Sequence, residues 1–407
     1  MGDSGRELMS KRPKIVVVGA GPVGLTAGLL LGTRGIDVTI LEAEAAVSQE
    51  LRASTFHPPT LDMMAPYGIT AKMLEAGLIC PTWQIRLHPS GDRAVFDLSA
   101  LKDVSEHPYR LQCEQSKYCE FVLEAVRKLS NVTVLFSSPV TQVEQTADSV
   151  RVTASTAEGE NAFTADYVIG ADGARSVVRR LLNIEMSGDV YPETTILATT
   201  HYPFHDKLEG LSNVSYCWKP NGTFSLLRLP GVWRVSLYAR AGQSTEQALQ
   251  DEAQQELLHD IVPDAGHIEV LETRPYRIHR RLASSYGKGR IFLAGDAAHL
   301  NSPSGGMGMN GGIHDAFNLC EKLAAVLQGQ SDASVLDRYE RQRRPIAEEE
   351  IIQQAHRNRT RMQERDPARR RAMLDDLKRT IDDPARLKAY LLKSSMIEGL
   401  RRAAATD

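Results

Sequence analysis

Lys14-Ile-Val-Val-Val-Gly-Ala-Gly-Pro-Val-Gly-Leu25, followed by Glu42 at the end of Val38-Thr-Ile-Leu-Glu42, decides the fold. The stretch reads as a buried strand, a glycine turn, a helix, a second strand and an acidic residue. That is the order a dinucleotide-binding βαβ unit requires. Gly19 permits the tight turn, Gly21 lets the backbone approach a pyrophosphate, and Gly24 lets the helix pack closely on the strand. The free N–H groups of a helix opening near Pro22 suit phosphates. Glu42 is placed to accept hydrogen bonds from both hydroxyls of an adenosine ribose.

Gly289-Arg-Ile-Phe-Leu-Ala-Gly-Asp296-Ala-Ala-His299 is a second strand that delivers an acid to a turn. Ser302-Pro-Ser-Gly-Gly-Met-Gly-Met-Asn310 follows, and then a helix from about Asn310 to Leu327. Reduced flavin carries negative charge, which backbone N–H groups at a helix N-terminus stabilise. Gly305, Gly306 and Gly308 let the backbone meet a flat ring without Cβ clashes. Asp296 is suited to a ribityl hydroxyl.

Between these anchors the texture changes. Residues 114–129 have helical apolar spacing, and strand-like runs follow at Val132–Leu135, Thr141–Glu144, Val150–Ala154 and Ala165–Gly170. From about 190 to 280, alternating segments (Asn213–Trp218, Thr223–Leu229, Val232–Tyr238) lie between Gly/Pro/Asn turns and predict an antiparallel sheet. Trp83 lies in a similar stretch, so 83–103 are assigned to that sheet. From Ser334 the chain reads as helical. Pro367 and Pro384 suit helix starts. Met373, Leu374, Leu377 and Ile381 share one face and need a partner surface in cis or in trans. The tail is expected to cover the nucleotide-binding domain or make a dimer contact. The basic run Arg365–Arg371 reads as a solvated helix start.

Composition excludes some classes. The net charge of −3 gives no basic field for nucleic acid. No apolar run is long enough to cross a bilayer. Met1 to Pro13 is a polar stretch without an apolar signal region, and it reads as a disordered tail. Five cysteines without a CxxC pair indicate free thiols in a reducing, cytoplasmic compartment. The sequons at Asn131 and Asn221 are then chance. No Cys/His cluster suggests a metal, so none is expected.

With these motifs goes a third, Asp166-Tyr-Val-Ile-Gly-Ala-Asp-Gly-Ala-Arg-Ser-Val-Val-Arg179. In this order over residues 14–345, the three resemble the class A flavoprotein aromatic hydroxylases, the group of para-hydroxybenzoate and phenol hydroxylases. The resemblance implies an α/β fold in which a Rossmann-like FAD-binding domain (14–82, 104–188 and 281–345) is interrupted by an antiparallel β-sheet substrate domain (83–103 and 189–280). A helical C-terminal segment, 346–407, follows. It implies that Glu42 is the ribose acid and that Arg52 lies near the FAD pyrophosphate and the chemistry. Gln115 and Asp172 are expected to contact the cofactor, and Asp296 the ribityl chain and pyrophosphate. Pro303 is expected near flavin ring and substrate, with Met309 and Asn310 completing the loop. The implied activity is hydroxylation of a phenolic or N-heteroaromatic molecule through a flavin C4a-hydroperoxide, with NAD(P)H as electron donor and O2 as co-substrate. The assembly is expected to be a monomer or homodimer.

Alternative readings stay beside it. Arg52 suits a surface position, Gln115 a helix cap, and Asp172 the shaping of a turn. No Trp-x-Trp of the flavin-dependent halogenases occurs. Tyr216-Cys-Trp218-Lys-Pro220 matches part of a segment found in prenyl-chain reductases, which keeps a reductase open, as is a hydroxylase inactivating a phenolic antibiotic. His88, His201, Tyr216, Tyr238, Arg228 and Arg240 lie in strands that could face the substrate, but alternation alone does not choose the face.

Overall fold

The computed structural model describes residues 13–220, 222–240 and 242–407, apart from the side chains of residues 192 and 193. The N-terminal tail up to residue 12 and the sequon at residue 221 lie outside the described residues.

Strands Ile291–Leu293, Tyr167–Gly170, Lys14–Val18, Asp37–Leu41 and Val132–Leu135 pair in parallel, in that order. Gly287–Lys288 adds an antiparallel edge. Helix Pro22–Gly32 is buried from Val23 to Gly32. It lies among the sheet and helices Gln115–Arg127 and Met307–Leu327, which explains why its sequence is apolar all round. Gly19 and Gly24 make the turn possible. A Cβ on Gly24 would sit 1.9 Å from the Gly19 carbonyl oxygen, and Gly19 has a φ of +104°.

The second sheet has eight strands. Met186–Thr200, Gly222–Leu229, Val232–Tyr238 and Glu272–Ala283 form its antiparallel centre. Thr82–Leu87 joins through a parallel pairing with Val214–Lys219, and Arg93–Asp97 forms the edge beyond it. The change of texture near 188 and 280 is not a change of element. Both positions fall inside long strands, Met186–Thr200 and Glu272–Ala283, whose ends pair beside His299–Leu300. A hydrogen-bond ladder can run on where side-chain character changes, so this ribbon carries the chain back to the first sheet. On the central strand, Trp233, Val235 and Leu237 pack outward with Leu257 and Leu258 of helix Asp251–His259. Arg234, Ser236 and Tyr238 alternate to the other face.

The helix from Asp337 runs through Pro345 and a wide turn at Ala347–Ile352 into Gln353–Gln363. Pro345 has no N–H to donate, and the ladder is re-formed with wider spacing. The tail corrects two expectations. Pro367 and Pro384 do open helices, with Asp366 and Asp383 each accepting two backbone N–H bonds as caps. Their apolar face covers the β-sheet edge rather than the nucleotide-binding unit: Leu374, Leu377 and Leu391 cluster with Trp83 and Phe96. The last helix, Ile397–Ala404, packs on Asp337–Ile346. Nor is the basic run merely solvated. Arg370 is buried and donates to the carbonyls of Glu364, Lys219 and Gly222, while Arg371 pairs with Asp92.

Leu374 is fully buried in that cluster. Leu374→Ala is expected to lower unfolding free energy by about 2–5 kcal/mol in urea titrations. Arg371→Ala, at an exposed pair, should change it by about 1 kcal/mol or less.

Candidate cofactor and substrate site

Four parallel strands deliver the expected residues at their carboxyl ends. Lys14–Val18 leads to Gly19 and Gly21, Asp37–Leu41 to Glu42, Tyr167–Gly170 to Asp172, and Ile291–Leu293 to Asp296. Ligands of open α/β sheets bind in that crevice. Here it is a cavity of about 1010 Å³ that continues under the inner face of the eight-stranded sheet. Gly19, Gly21, Glu42, Arg52, Gln115, Asp172, Asp296, Pro303, Gly306, Gly308 and Met309 all line it.

Several of these already hold the backbone. Glu42 accepts from Ala20 N at 2.5 Å and from Glu44 N at 2.9 Å, which ties the acid to the glycine turn. Asp172 shapes a turn as well as lining the cavity. Its Oδ2 accepts from Val177 N and Val178 N, while Oδ1 is buried without a partner. Gln115 is the first helical residue, one past the N-cap Glu114, and its N–H bonds the Ala53 carbonyl. Arg52 is half exposed and pairs with Glu50 at 2.8 Å. The exposed surface of Asp296 faces the cavity deep in the fold. Desolvation there pushes its carboxyl up, against the opposing pull of His299 and Arg52.

Gly24, Gly305 and Asn310 do not line this cavity. Gly24 packs on the turn. Asn310 is turned inward: its Oδ1 accepts from His57 N and Thr60 Oγ1, and its Nδ2 donates to the Thr55 and Gly306 carbonyls. The glycines at 305, 306 and 308 are also constrained by protein neighbours. A Cβ there would meet Met307, Thr55 and Asn301 rather than open space, and Gly306 is left-handed at φ +69°. A Cβ on Gly21 would meet nothing within 4 Å, and the residue lines the cavity.

Helices Pro22–Gly32 and Met307–Leu327 both start at the cavity, from Gly21 and Gly306, without a side-chain cap or first-turn acid. Their first N–H groups are therefore available to an anionic ligand. Together with the orphan Asp172 oxygen and the space at Gly21, they fit an anionic dinucleotide cofactor.

The residues that hold the loop escaped sequence reading. Asp315, fully buried, accepts from Arg343 Nε at 2.7 Å, His299 Nε2 at 2.8 Å and Gly295 N at 3.1 Å. Arg343 and His299 hold its carboxyl at about 2 against the cost of burial. His57 Nε2 donates to the Gly305 carbonyl at 2.8 Å, which fixes its tautomer, and burial and Arg110 depress it to about 3. Thr60 gives its single proton to Asn310, so it accepts from His314 Nε2. An acid in the helix that follows the glycine loop was the only local signal for Asp315. Arg343 and His57 had none.

The inner sheet face is now fixed. Tyr216, Ser225, Leu227, Arg234, Ser236, Tyr238, Arg274 and Tyr276 line the cavity, and among the described residues no histidine does. His201 bonds the Gly231 carbonyl, and His88 packs on Phe224. Arg228 pairs in register with Trp233 and stacks on it, and Arg240 pairs with Glu256 and Asp260. The arginines that do enter are Arg234, bonded to Glu114 and the Arg52 carbonyl, and Arg274, bonded to Glu50 and the Leu51 carbonyl. They pin segment 50–54 to the sheet. Trp218 of the reductase-like segment is core, its Nε1 bonded to the Arg361 carbonyl.

Residues 12–355 match the family model described as FAD binding domain. The chain is 33% identical over 395 residues to para-nitrophenol 4-monooxygenase of Pseudomonas sp. (strain WBC-3), covering 95% of this chain and 96% of that protein. It is 33% identical over 338 residues to 6-hydroxy-3-succinoylpyridine 3-monooxygenase of Pseudomonas putida (strain DSM 28022 / S16), covering 83% and 85%. The crystal structure of p-nitrophenol 4-monooxygenase from Pseudomonas putida DLL-E4 superposes with a TM-score of 0.88 at 32% identity, covering 96% of this chain and 98% of that one.

Because burial raises the Asp296 carboxyl, its ionisation opposes folding. The penalty begins as pH rises through the ordinary carboxylate range and is complete above the raised value. Asp296→Asn should leave the melting temperature of the apoprotein at neutral pH equal or higher while flavin per chain falls; flavin content at the wild-type level would remove its cofactor role. Asp315 has the opposite sign: its stabilisation is present above pH 4 and is lost as pH falls towards about 2. Asp315→Asn should cost about 3–5 kcal/mol at neutral pH, and the gap to wild type should narrow in acid denaturation.

Proposed function

The chain belongs to the FAD binding domain family and is an FAD-dependent aromatic monooxygenase, and we propose that it hydroxylates a phenol or hydroxylated N-heteroaromatic with NAD(P)H as electron donor. One observation carries this reading: a single cavity joins the dinucleotide turn, the flavin-side loop and an aromatic, hydroxyl-lined sheet face. The overall reaction, ArH + O2 + NAD(P)H + H⁺ → ArOH + NAD(P)⁺ + H2O, balances in atoms and charge.

Bound FAD supplies hydride acceptance and oxygen activation. The chain's own residues do the rest. Gly19–Pro22, Glu42, Asp172, Asp296 and Pro303–Met309, which line the cavity, would hold the cofactor. The substrate end is walled by Leu197, Phe224 and Leu227, with hydroxyls from Tyr216, Ser236, Tyr238 and Tyr276. Burial pushes Tyr276 up, so it stays a protonated donor. Such hydroxyls orient a phenolic oxygen and pass its proton without a histidine base. The relatives named for a nitrophenol and a hydroxypyridine support a small hydroxylated ring.

The five cysteines are free and buried, which supports a reducing, cytoplasmic setting. No helix among the described residues is long and apolar enough to cross a membrane. The apolar face of the two proline-started helices is used in cis, which removes one reason for a dimer and favours a monomer.

The test is anaerobic flavin reduction by NADPH and NADH in the presence of phenols, hydroxypyridines and aromatic acids. One class should accelerate reduction at least about tenfold, with hydroxylated product on adding O2. Reduction indifferent to every aromatic, with peroxide as the sole oxygen product, would overturn the substrate class.

A further inference from the structure

Beneath the flavin-side loop lies a second pocket of about 30 Å³. That is room for about two waters or one compact ion. Two arginines, Arg110 and Arg361, line it, and no acidic residue does. Arg110 is 2% exposed. Its guanidinium lies over the Trp83 ring at 4.8 Å, and its Nε and Nη1 are buried without a hydrogen-bond partner. Among the described residues no carboxylate pairs with it. Trp83 Nε1 and Ser394 Oγ, on the same wall, are also buried without partners. Other buried arginines differ: Arg234 has Glu114, Arg343 has Asp315, and Arg370 has three carbonyls.

The neighbours that feel Arg110 cannot neutralise it. Burial and Arg110 keep His57 neutral, and burial pushes the Cys80 thiol up to about 12. Arginine does not lose its proton. A buried, unpaired guanidinium is strongly unfavourable, and converging donors make the remedy an acceptor of negative charge.

We infer that this pocket binds a compact anionic group, of halide, nitrite or carboxylate size, against Arg110 and Ser394. The pocket shares Tyr216, Ser304, Met307 and Met362 with the large cavity. The anion is therefore a free ion admitted beside the loop or an anionic substituent of the ring. The site does not depend on the hydroxylase reading; only the substituent source rests on it. An ion there also neutralises a positive charge next to the Gly305–Gly306 turn.

The experiment uses the full-length, flavin-loaded protein in gluconate buffer, titrated at constant ionic strength with chloride, nitrite or formate. Melting temperature and the visible flavin spectrum are read. A saturable rise in melting temperature with compact anions is expected. It should vanish in Arg110→Met, whose melting temperature in gluconate should equal or exceed that of wild type. Ser394→Ala, which keeps the charge, should weaken the anion by about tenfold and serves if Arg110→Met does not fold. An unsaturable rise, or an equal one in the variants, overturns the site. Competition between formate and an aromatic carboxylate assigns the pocket to the ring substituent, and independent binding assigns it to the free ion. Because neither readout requires turnover, failure here is distinct from failure of the proposed reaction.

Discussion

One buried carboxylate organises the flavin side of the molecule. Asp315 takes hydrogen bonds from the end of a strand (Gly295), from the turn after it (His299) and from a distant helix (Arg343), while itself standing on the helix that the loop starts. Three separate stretches of chain, 295–299 and the helices of Asp315 and Arg343, therefore share one charge. A buried ion adds little when replaced with its partner by well-packed apolar groups, but losing one member strands the rest. The arrangement specifies geometry more than it adds stability: Asp296 and the 303–309 loop can sit in only one place relative to the strand.

The cavity repeats a single electrostatic idea at both ends. Two helices start there from glycine, with their first N–H groups unclaimed by side chains. Between them the protein places acids that avoid a competing role: Glu42 and Asp172 are partly satisfied by backbone, and Asp296 has its charge penalised by burial. The site is thus positive at helix ends and restrained in negative charge, as an anionic dinucleotide requires. Alternate side chains of the other sheet close the cavity.

How much of this was legible follows from sequence distance. Gly19, Gly21, Glu42, Asp172 and Asp296 sit at the ends of strands, where fixed local spacing fixes position. The antiparallel texture and the proline-started helices were readable for the same reason. Arg228 and Arg240 look as suitable as Arg234, and only the register with Trp233 sends Arg228 outward. Loop positions carry a further constraint that spacing does not show: Gly305, Gly306 and Gly308 are hemmed in by protein neighbours. His57 meets Gly305 across 248 residues, and Arg370 meets Lys219 across 151. Pairings of that kind leave no periodic trace. The tail's apolar face was visible, but which surface it covers was not.

One almost fully buried helix is made long before the helix that covers it. Pro22–Gly32 is packed on one side by Met307–Leu327, and Cys320 reaches the Ala27 carbonyl across 293 residues. A ribosome adding about 5–20 residues per second needs roughly 15–60 s to make that intervening chain. For that interval a wholly apolar helix has emerged without its cover. The nascent protein must hold it in a provisional collapse, and the nucleotide pocket matures only when Met307–Leu327 has been synthesised.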